Sequence, residues 1–398
     1  MGVIVQKYGG SSVASPEKIK SVAQRIVDTR RQGHQVVVVV SAMGNTTNEL
    51  LDLASSITAN PPRRELDMLV TVGERISMSL LSMAIQDLGC PAVSFTGSQS
   101  GIITTDNHAD ARIIKVTPTR IQDALAREQI VIVAGFQGVS ERLEITSLGR
   151  GGSDTTAVAL AAALDADYAE ICSDVDGVYS ADPRSVENTQ RIEEMSHEEM
   201  QSLADAGAKV LNAEAVEWAR RQGIEIRCAS THGPRRAGTR IHQGSGLEQQ
   251  RVTAISAHPG FFYLSGQNNR SRAPEDLEST IAAHGASDAR VHRGMNDWWA
   301  LVPRQNIHGE TAFLEAVSAI GDVEIREDLA MVTIVGRALT AAPAVLPIAK
   351  MALARGEISV MSQTVDPARV EFITKNEDAM EAVRRLHETL IAGEDTAS

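Results

Sequence analysis

Val36-Val37-Val38-Val39-Val40-Ser41-Ala42-Met43-Gly44 places five consecutive valines before a glycine turn. β-branched side chains are stiff and favour the extended backbone. An unbroken run, rather than one alternating with polar residues, predicts a strand buried on both faces, as in a parallel sheet. The turn leads into helical spacing over Glu49–Ile57. Ile130–Ala134 predicts a second buried strand, ending at Gly135, and Tyr168–Cys172 a third. Helices over Leu66–Leu88 and Ala157–Leu164 lie between them. This rhythm predicts an α/β fold with a mostly parallel sheet and helices on both faces.

The chain has 398 residues, which suits two or three domains. Hydrophobic residues make up 43% but aromatics only 3%, so the cores must be built from Ala, Val, Ile and Leu. A net charge of -13 argues against a nucleic-acid partner. It also requires any anionic ligand to find locally placed Lys, Arg or backbone N–H groups. Cys90, Cys172 and Cys228 lack metal-ligand or redox spacing, and their odd number suits a reducing compartment. Met1 leads almost directly into Val3-Ile4-Val5, with no signal-peptide pattern. The uninterrupted apolar runs fall short of the roughly 20 residues that span a bilayer. The expectation is a soluble cytoplasmic protein with no membrane partner.

The pattern changes near Thr231, where His232-Gly-Pro-Arg-Arg-Ala-Gly238 is rich in chain breakers. Beyond it the units shorten. Strand 251–256, helix 273–284, strands 288–293 and 297–303, helix 310–320 and strand 322–326 make one round. Strand 331–336, helix 342–355, strands 358–362 and 369–374 and helix 377–391 make a second. Each approximates a ferredoxin-like βαββαβ unit, although the second lacks a clear last strand. The expected division is 1–240, 251–327 and 328–393, with the two small units possibly interlocked.

Five segments carry candidate chemistry. Lys7-Tyr-Gly9-Gly10-Ser11-Ser12 ends a strand, turns on glycines and enters a helix. Glycines let N–H groups face a phosphate, and a nearby lysine can neutralise charge on a transferring phosphoryl group. The spacing is not that of a Walker A loop, and a strand-turn-helix corner with a surface lysine explains it equally well. Ser41-Ala-Met-Gly44-Asn-Thr-Thr47 is a second glycine turn, readable also as a helix cap. In Gly149-Arg150-Gly151-Gly152-Ser153-Asp154, the arginine suits a bidentate grip on a carboxylate. Ser153, Asp154 and Thr155 are also good helix caps. Ser173-Asp174-Val-Asp176-Gly-Val-Tyr179-Ser-Ala-Asp182-Pro-Arg184 can hold a ribose and base, or form a solvated turn; it fails EF-hand spacing. Glu74 opens an otherwise apolar helix, where it either meets a ligand ammonium group or sits exposed beside Arg75.

In this order the motifs resemble those of the aspartokinase branch of the amino-acid kinase family. Lys7-Tyr-Gly-Gly-Ser-Ser-Val looks like KFGGTSV, Val39–Leu50 like the second phosphate loop, and Thr71-Val-Gly-Glu-Arg like the FGER helix start. Leu148–Ala157 matches the family signature, Ser173–Arg184 is similar to the nucleotide loop, and Gly207-Ala-Lys209-Val-Leu corresponds to GAKVL. The resemblance covers essentially the first 240 residues. It implies a three-layer kinase sandwich followed by two ACT units, and transfer of the γ-phosphoryl group of ATP, with Mg²⁺ carried mainly on the phosphates, to L-aspartate. Lys7 would bridge the β- and γ-phosphates, and Asp154 would orient it or the substrate. Gly9, Gly10, Ser11, Ser41 and Gly44 would contact phosphates. Thr47, Glu74, Arg150, Gly151 and Ser153 would bind aspartate, with Glu74 on its ammonium and Arg150 on its α-carboxylate. Ser173, Asp174, Tyr179, Asp182, Arg184 and Lys209 would hold ATP.

The departures also carry expectations. Asn212-Ala213 stands where the family shows His-Pro, which implies altered ATP affinity. Ile255–Gly260 and Val335–Pro343 keep the family's effector loop poorly, whereas Ile358–Gln363 resembles its effector-facing strand. Weak or altered feedback by lysine or threonine is expected, as is a homodimer or tetramer paired through the ACT units. Two alternatives remain at this level. The same fold can phosphorylate another acidic metabolite, which aspartate-dependent turnover would discriminate. A non-catalytic amino-acid sensor would fail to bind ATP, and the intact Lys7, Arg150 and Asp154 set speaks against it.

Overall fold

The computed structural model describes residues 2–149, 151–208, 210–233, 238–244, 251–267, 273–286, 289–294, 297–304, 307, 309–341 and 344–392. Two compact units emerge. The first takes Met1–Tyr179, Arg191–Asp205 and Lys209–Glu248; the second takes Ser180–Gln190, Ala206–Ala208 and Gln249–Ser398. The second unit therefore draws two short pieces from within the first 240 residues, beyond the boundary that the breaker-rich stretch suggested.

The first unit is built on an eight-stranded sheet. Its order is Glu194–Ser196, Thr239–His242, Ile226–Ser230, Tyr168–Ser173, Val3–Tyr8, Gln35–Val40, Ile130–Ala134 and Ala92–Phe95. Every neighbouring pair is parallel except Ile226–Ser230 with Thr239–His242. All five valines are fully buried. Val36, Val38 and Val40 face a core shared with helices Pro16–Arg31 and Val72–Asp87. Val37 and Val39 face the other way, the side on which Val39 lies below the start of helix Gly152–Ala163. A strand buried on both faces has no position for a polar side chain, which is why the sequence supplies none. A four-stranded sheet of Ile113–Val116, Ile102–Thr104, Gln137–Ser140 and Ile145–Ser147 completes the region that concerns the site.

The predicted helix Leu66–Leu88 is two helices, Arg63–Val70 and Val72–Asp87, meeting at Thr71. Arg63–Asp87 is long and apolar enough to cross a membrane by length and composition alone, yet half of its most apolar window is buried inside the protein. It is the core helix that the sheet requires on that face.

The second unit carries one six-stranded antiparallel sheet rather than two separate ones. Arg251–Gln267 is a single 17-residue strand and Glu324–Arg337 a single 14-residue strand. Arg251–Ser265 pairs with Glu324–Arg337 along its length, and Phe261–Gln267 also pairs, on its other edge, with Asp297–Pro303. The second small unit thus takes its fourth strand from the start of the region, and the first is inserted within it. Irregular register at Pro259/Phe261 bends the strand without ending it. The predicted strand 358–362 is displaced to Ser362–Val365.

Candidate active site

Parallel strands that leave a sheet side by side bring their following loops together, and such crevices hold ligands in open α/β folds. Here Val3–Tyr8 is the central strand, flanked by Gln35–Val40 and Tyr168–Ser173. Lys7 is the penultimate residue of the first. Its Nζ lies 2.7 Å from Asp154 Oδ1, with both side chains largely buried. The contact is an ion pair whose angle misses hydrogen-bond geometry, since Asp154 Oδ1 accepts no aligned bond. The lysine charge is therefore pinned in place, yet its donors keep directional capacity for a ligand.

The two glycine loops interlock beside this pair. Gly44 N–H donates to Gly10 O at 3.0 Å, and Ser41 N–H to Tyr8 O at 3.1 Å. A methyl group on Gly10 would stand 2.8 Å from Ala42 O, so no side chain fits there. Gly44 adopts φ +52, a conformation that glycine reaches cheaply. Ser11 lies exposed in the short helix Gly10–Val13, and Ser12 anchors that helix by a buried 2.7 Å hydrogen bond to Thr231 Oγ1. Thr47 lies half-buried in the first turn of helix Thr46–Ile57, which follows the second loop.

Glu74 is buried, at 3% exposure, so it is not a surface charge paired with Arg75. Its Oε1 accepts the Ala42 N–H at 3.0 Å, while Oε2 is buried with no partner. Burial raises its pKa from 4.5 to about 7. A buried carboxylate oxygen without a donor is costly unless a ligand supplies one. Close packing sets its position: a methyl on Gly73 would come within 2.6 Å of Ala42 Cβ.

Asp154 does not cap its helix. The cap of Gly152–Ala163 is Gly151, in left-handed conformation at φ +72, and Asp154 stands inside the first turn. There the unpaired N–H groups of the helix start favour negative charge, so an ionised Asp154 or a ligand anion is well placed. Ser153 packs behind the loop, its Oγ 2.8 Å from where a Gly135 methyl would lie. Cys228 borders the Lys7–Asp154 pair, and burial pushes its thiol pKa up.

Asn212, in the segment that departs from the family pattern, caps helix Ala213–Gln222 by accepting from Glu214 N–H at 2.9 Å and Ala215 N–H at 3.3 Å. It also lies where a Gly151 side chain would project, 2.3–2.5 Å from an ideal methyl. The departure therefore abuts the Gly151 turn.

The remaining expected contacts are spread more widely. Ser173 closes a turn on Val175 N–H at 3.3 Å. Asp174 is exposed just beyond that strand. Tyr179 donates to Asp176 at 2.7 Å. Asp182 and Arg184 belong to the second unit, where they form a 2.9 Å ion pair with each other. Arg150 and Lys209 lie outside the described residues. Among the described residues no cluster of three or more His, Cys, Asp or Glu can hold a metal ion.

Sequence reasoning missed Asp67. It is fully buried and accepts hydrogen bonds from Ala109 N–H at 3.1 Å and Ser147 Oγ at 2.5 Å, with His108 Nδ1 at 2.6 Å. The signal was available in the helical spacing. Asp67, Val70, Thr71, Glu74, Met78, Leu81 and Ile85 form one buried stripe. An aspartate on such a stripe must have partners.

A central lysine between interlocked glycine loops, facing a helix N-terminus, is an arrangement able to take phosphate groups in an α/β fold. Residues 2–230 match the model of the amino acid kinase family. Over its whole length the chain is 43% identical to the aspartokinase of Mycolicibacterium smegmatis, of which 98% is covered. It is 39% identical to aspartokinase 2 of Bacillus subtilis, with 98% of this chain and 97% of that one aligned. Escherichia coli aspartokinase III, in its R-state complex with aspartate and ADP, superimposes with a TM-score of 0.84 over 98% of this chain and 99% of that one, at 24% identity. The chain belongs to the amino acid kinase family and, within it, to the aspartokinases.

Proposed function

We propose that the chain transfers the γ-phosphoryl group of MgATP to the β-carboxylate of L-aspartate, yielding 4-phospho-L-aspartate and opening aspartate-family amino-acid biosynthesis. The observation that carries this reading is the 2.7 Å Lys7–Asp154 pair at the junction of two glycine loops. A carboxylate oxygen attacks the γ-phosphorus in line, the bond to the β,γ-bridging oxygen breaks, and ADP leaves. The acceptor is already ionised, so no proton moves and no general base is needed. The barrier is the approach of two anions, which positioning and charge neutralisation must lower. Lys7 neutralises the transferring phosphoryl group, and Asp154 fixes where that charge sits. The N–H groups of Gly9, Gly10, Ser11 and Gly44 cradle the phosphates. The unpaired Oε2 of Glu74 receives the substrate ammonium, and Arg150 the α-carboxylate. Thr47, Gly151 and Ser153 complete that pocket, and Ser41 the phosphate loop. Ser173, Asp174, Tyr179, Asp182, Arg184 and Lys209 serve the nucleoside end. Mg²⁺ supplies charge neutralisation on the phosphates.

The regulatory reading follows the second unit. Its two interlocked βαββαβ layers are ACT units that pair copies of the chain and respond only weakly to lysine or threonine; strong inhibition by micromolar lysine or threonine would overturn this. Cytoplasmic residence accompanies the metabolic role. The deciding experiment is a hydroxamate or coupled ADP assay with L-aspartate, L-glutamate as control, and Lys7→Ala in parallel. Aspartate-dependent acyl phosphate that falls by about 10²-fold or more in Lys7→Ala supports the reading. ATP binding without aspartate turnover overturns it.

A further inference from the structure

We propose that Asp67, with His108 and Ser147, is a positioning group that sets the distance between the two ends of the amino-acid substrate pocket; this rests on the aspartate reading above. Asp67 bridges two segments far apart in sequence. On one side, Thr71 Oγ1 donates to Asp67 O at 2.7 Å and Thr71 N–H to the same oxygen at 3.2 Å. Thr71 is the joint from which helix Val72–Asp87 starts, and the first turn of that helix carries Glu74. On the other side, the carboxylate accepts from Ser147 Oγ at 2.5 Å. Ser147 ends strand Ile145–Ser147, two residues before Gly149, which Arg150 follows in the sequence. One residue therefore ties the two mountings together, its backbone carbonyl holding the joint before Glu74 and its carboxylate holding the strand end that precedes the carboxylate recogniser in sequence.

His108 and Ala109 close the arrangement from above. His108 Nδ1 lies 2.6 Å from Asp67 Oδ2, and Ala109 N–H donates to both carboxylate oxygens at 3.1 and 3.2 Å. Ala109 adopts φ +68, an uncommon backbone for alanine that these bonds hold in place. The same loop bonds the strand again, through Ala111 N–H to Ser147 O at 2.9 Å. It also presses on the turn: Asp110 Oδ1 lies 3.0 Å from where a Gly149 methyl would project. A buried carboxylate held by His108, the Ala109 N–H and the Ser147 hydroxyl has little freedom to shift. Lys7 and the glycine loops lie outside these bonds, so the effect is confined to the amino acid.

The test compares Asp67→Asn, His108→Ala and His108→Asn with the wild type in steady-state assays that vary aspartate and ATP separately. Asp67→Asn and His108→Ala are expected to raise KM for aspartate by about tenfold, while KM for ATP changes by less than about twofold. His108→Asn keeps a donor at short reach and is expected to recover part of the loss. Unchanged KM for aspartate in His108→Ala, or an equal rise in both KM values, would overturn the inference. His108 is partly exposed at 22%, so that variant decides the matter if Asp67→Asn does not fold. Absence of aspartate turnover in the wild type would instead remove the functional reading, and this inference with it.

Discussion

Glu74→Gln separates what the Glu74 carboxylate costs the fold from what it does for the substrate. Burial lifts the pKa from 4.5 to about 7, which corresponds to about 3 kcal/mol against the ionised form. Between these values the folded protein holds a proton that the unfolded chain has released. Stability from this group is therefore full below pH 4.5, declines as pH rises, and is lost above about pH 7. Glutamine never ionises and can still accept from Ala42 N–H, so the variant escapes the decline. It should be more stable than the wild type by up to about 3 kcal/mol at pH 8 and nearly equal at pH 4.5. Binding should move the opposite way, because a charge-assisted contact to the substrate ammonium is lost. KM for aspartate should rise by about 10- to 100-fold. Urea unfolding from pH 4.5 to 8.5 reads the first effect. Calorimetry of aspartate binding in two buffers of different ionisation enthalpy reads the coupled proton. The wild type should release close to one proton at pH 6 and almost none at pH 8.5, and the variant none at either. Parallel stability curves together with no proton release would refute the assignment of Glu74.

Two further outcomes follow from packing. Gly151→Ala collides with Asn212 and strains a φ of +72, so aspartate turnover should fall at least tenfold. Adding Asn212→Gly, which removes the colliding Cβ as well as the amide, should restore part of it at a cost of roughly a few tenths of a kcal/mol for the lost cap; a double variant no better than Gly151→Ala would disprove the steric account. Among the cysteines, Cys172 and Cys228 are fully buried and burial raises both thiols, whereas Cys90 is partly exposed. Iodoacetamide on the native protein should give one adduct by intact mass, and three in denaturant; rapid double or triple labelling of folded protein would contradict the burial.

The parallel sheet was legible because Val36–Val40 and Ile130–Ala134 leave no polar position on either face. Lys7 and Asp154 were each ambiguous alone, since a strand-end lysine and a first-turn aspartate have ordinary structural explanations. Only the fold places them 2.7 Å apart. The continuity of Arg251–Gln267 was hidden by His258-Pro259-Gly260, which reads as a loop. In the protein His258 and Pro259 stay paired, opposite Met331 and Ala330, and Gly260 takes up the register shift at φ +82. Periodicity cannot reveal a strand that keeps one neighbour throughout and gains a second midway. Asp67 and His108 escaped notice because they are 41 residues apart and neither sits in a glycine-rich motif.

The shared strands bear on how this chain can be cut and recombined. His258 and Met331 are register partners on adjacent strands, a separation of about 5 Å. Everything between them forms a cassette whose two ends already meet, so it can be exchanged for another of its kind with only a short joining turn. A single cut has no such neutrality. A chain ending between Gln267 and Glu324 lacks Glu324–Arg337, the partner on which Arg251–Pro259 lies, and exposes a sheet edge to other chains. The middle of the second unit is thus replaceable as a block, whereas a cut within it leaves the strand common to both halves without its partner.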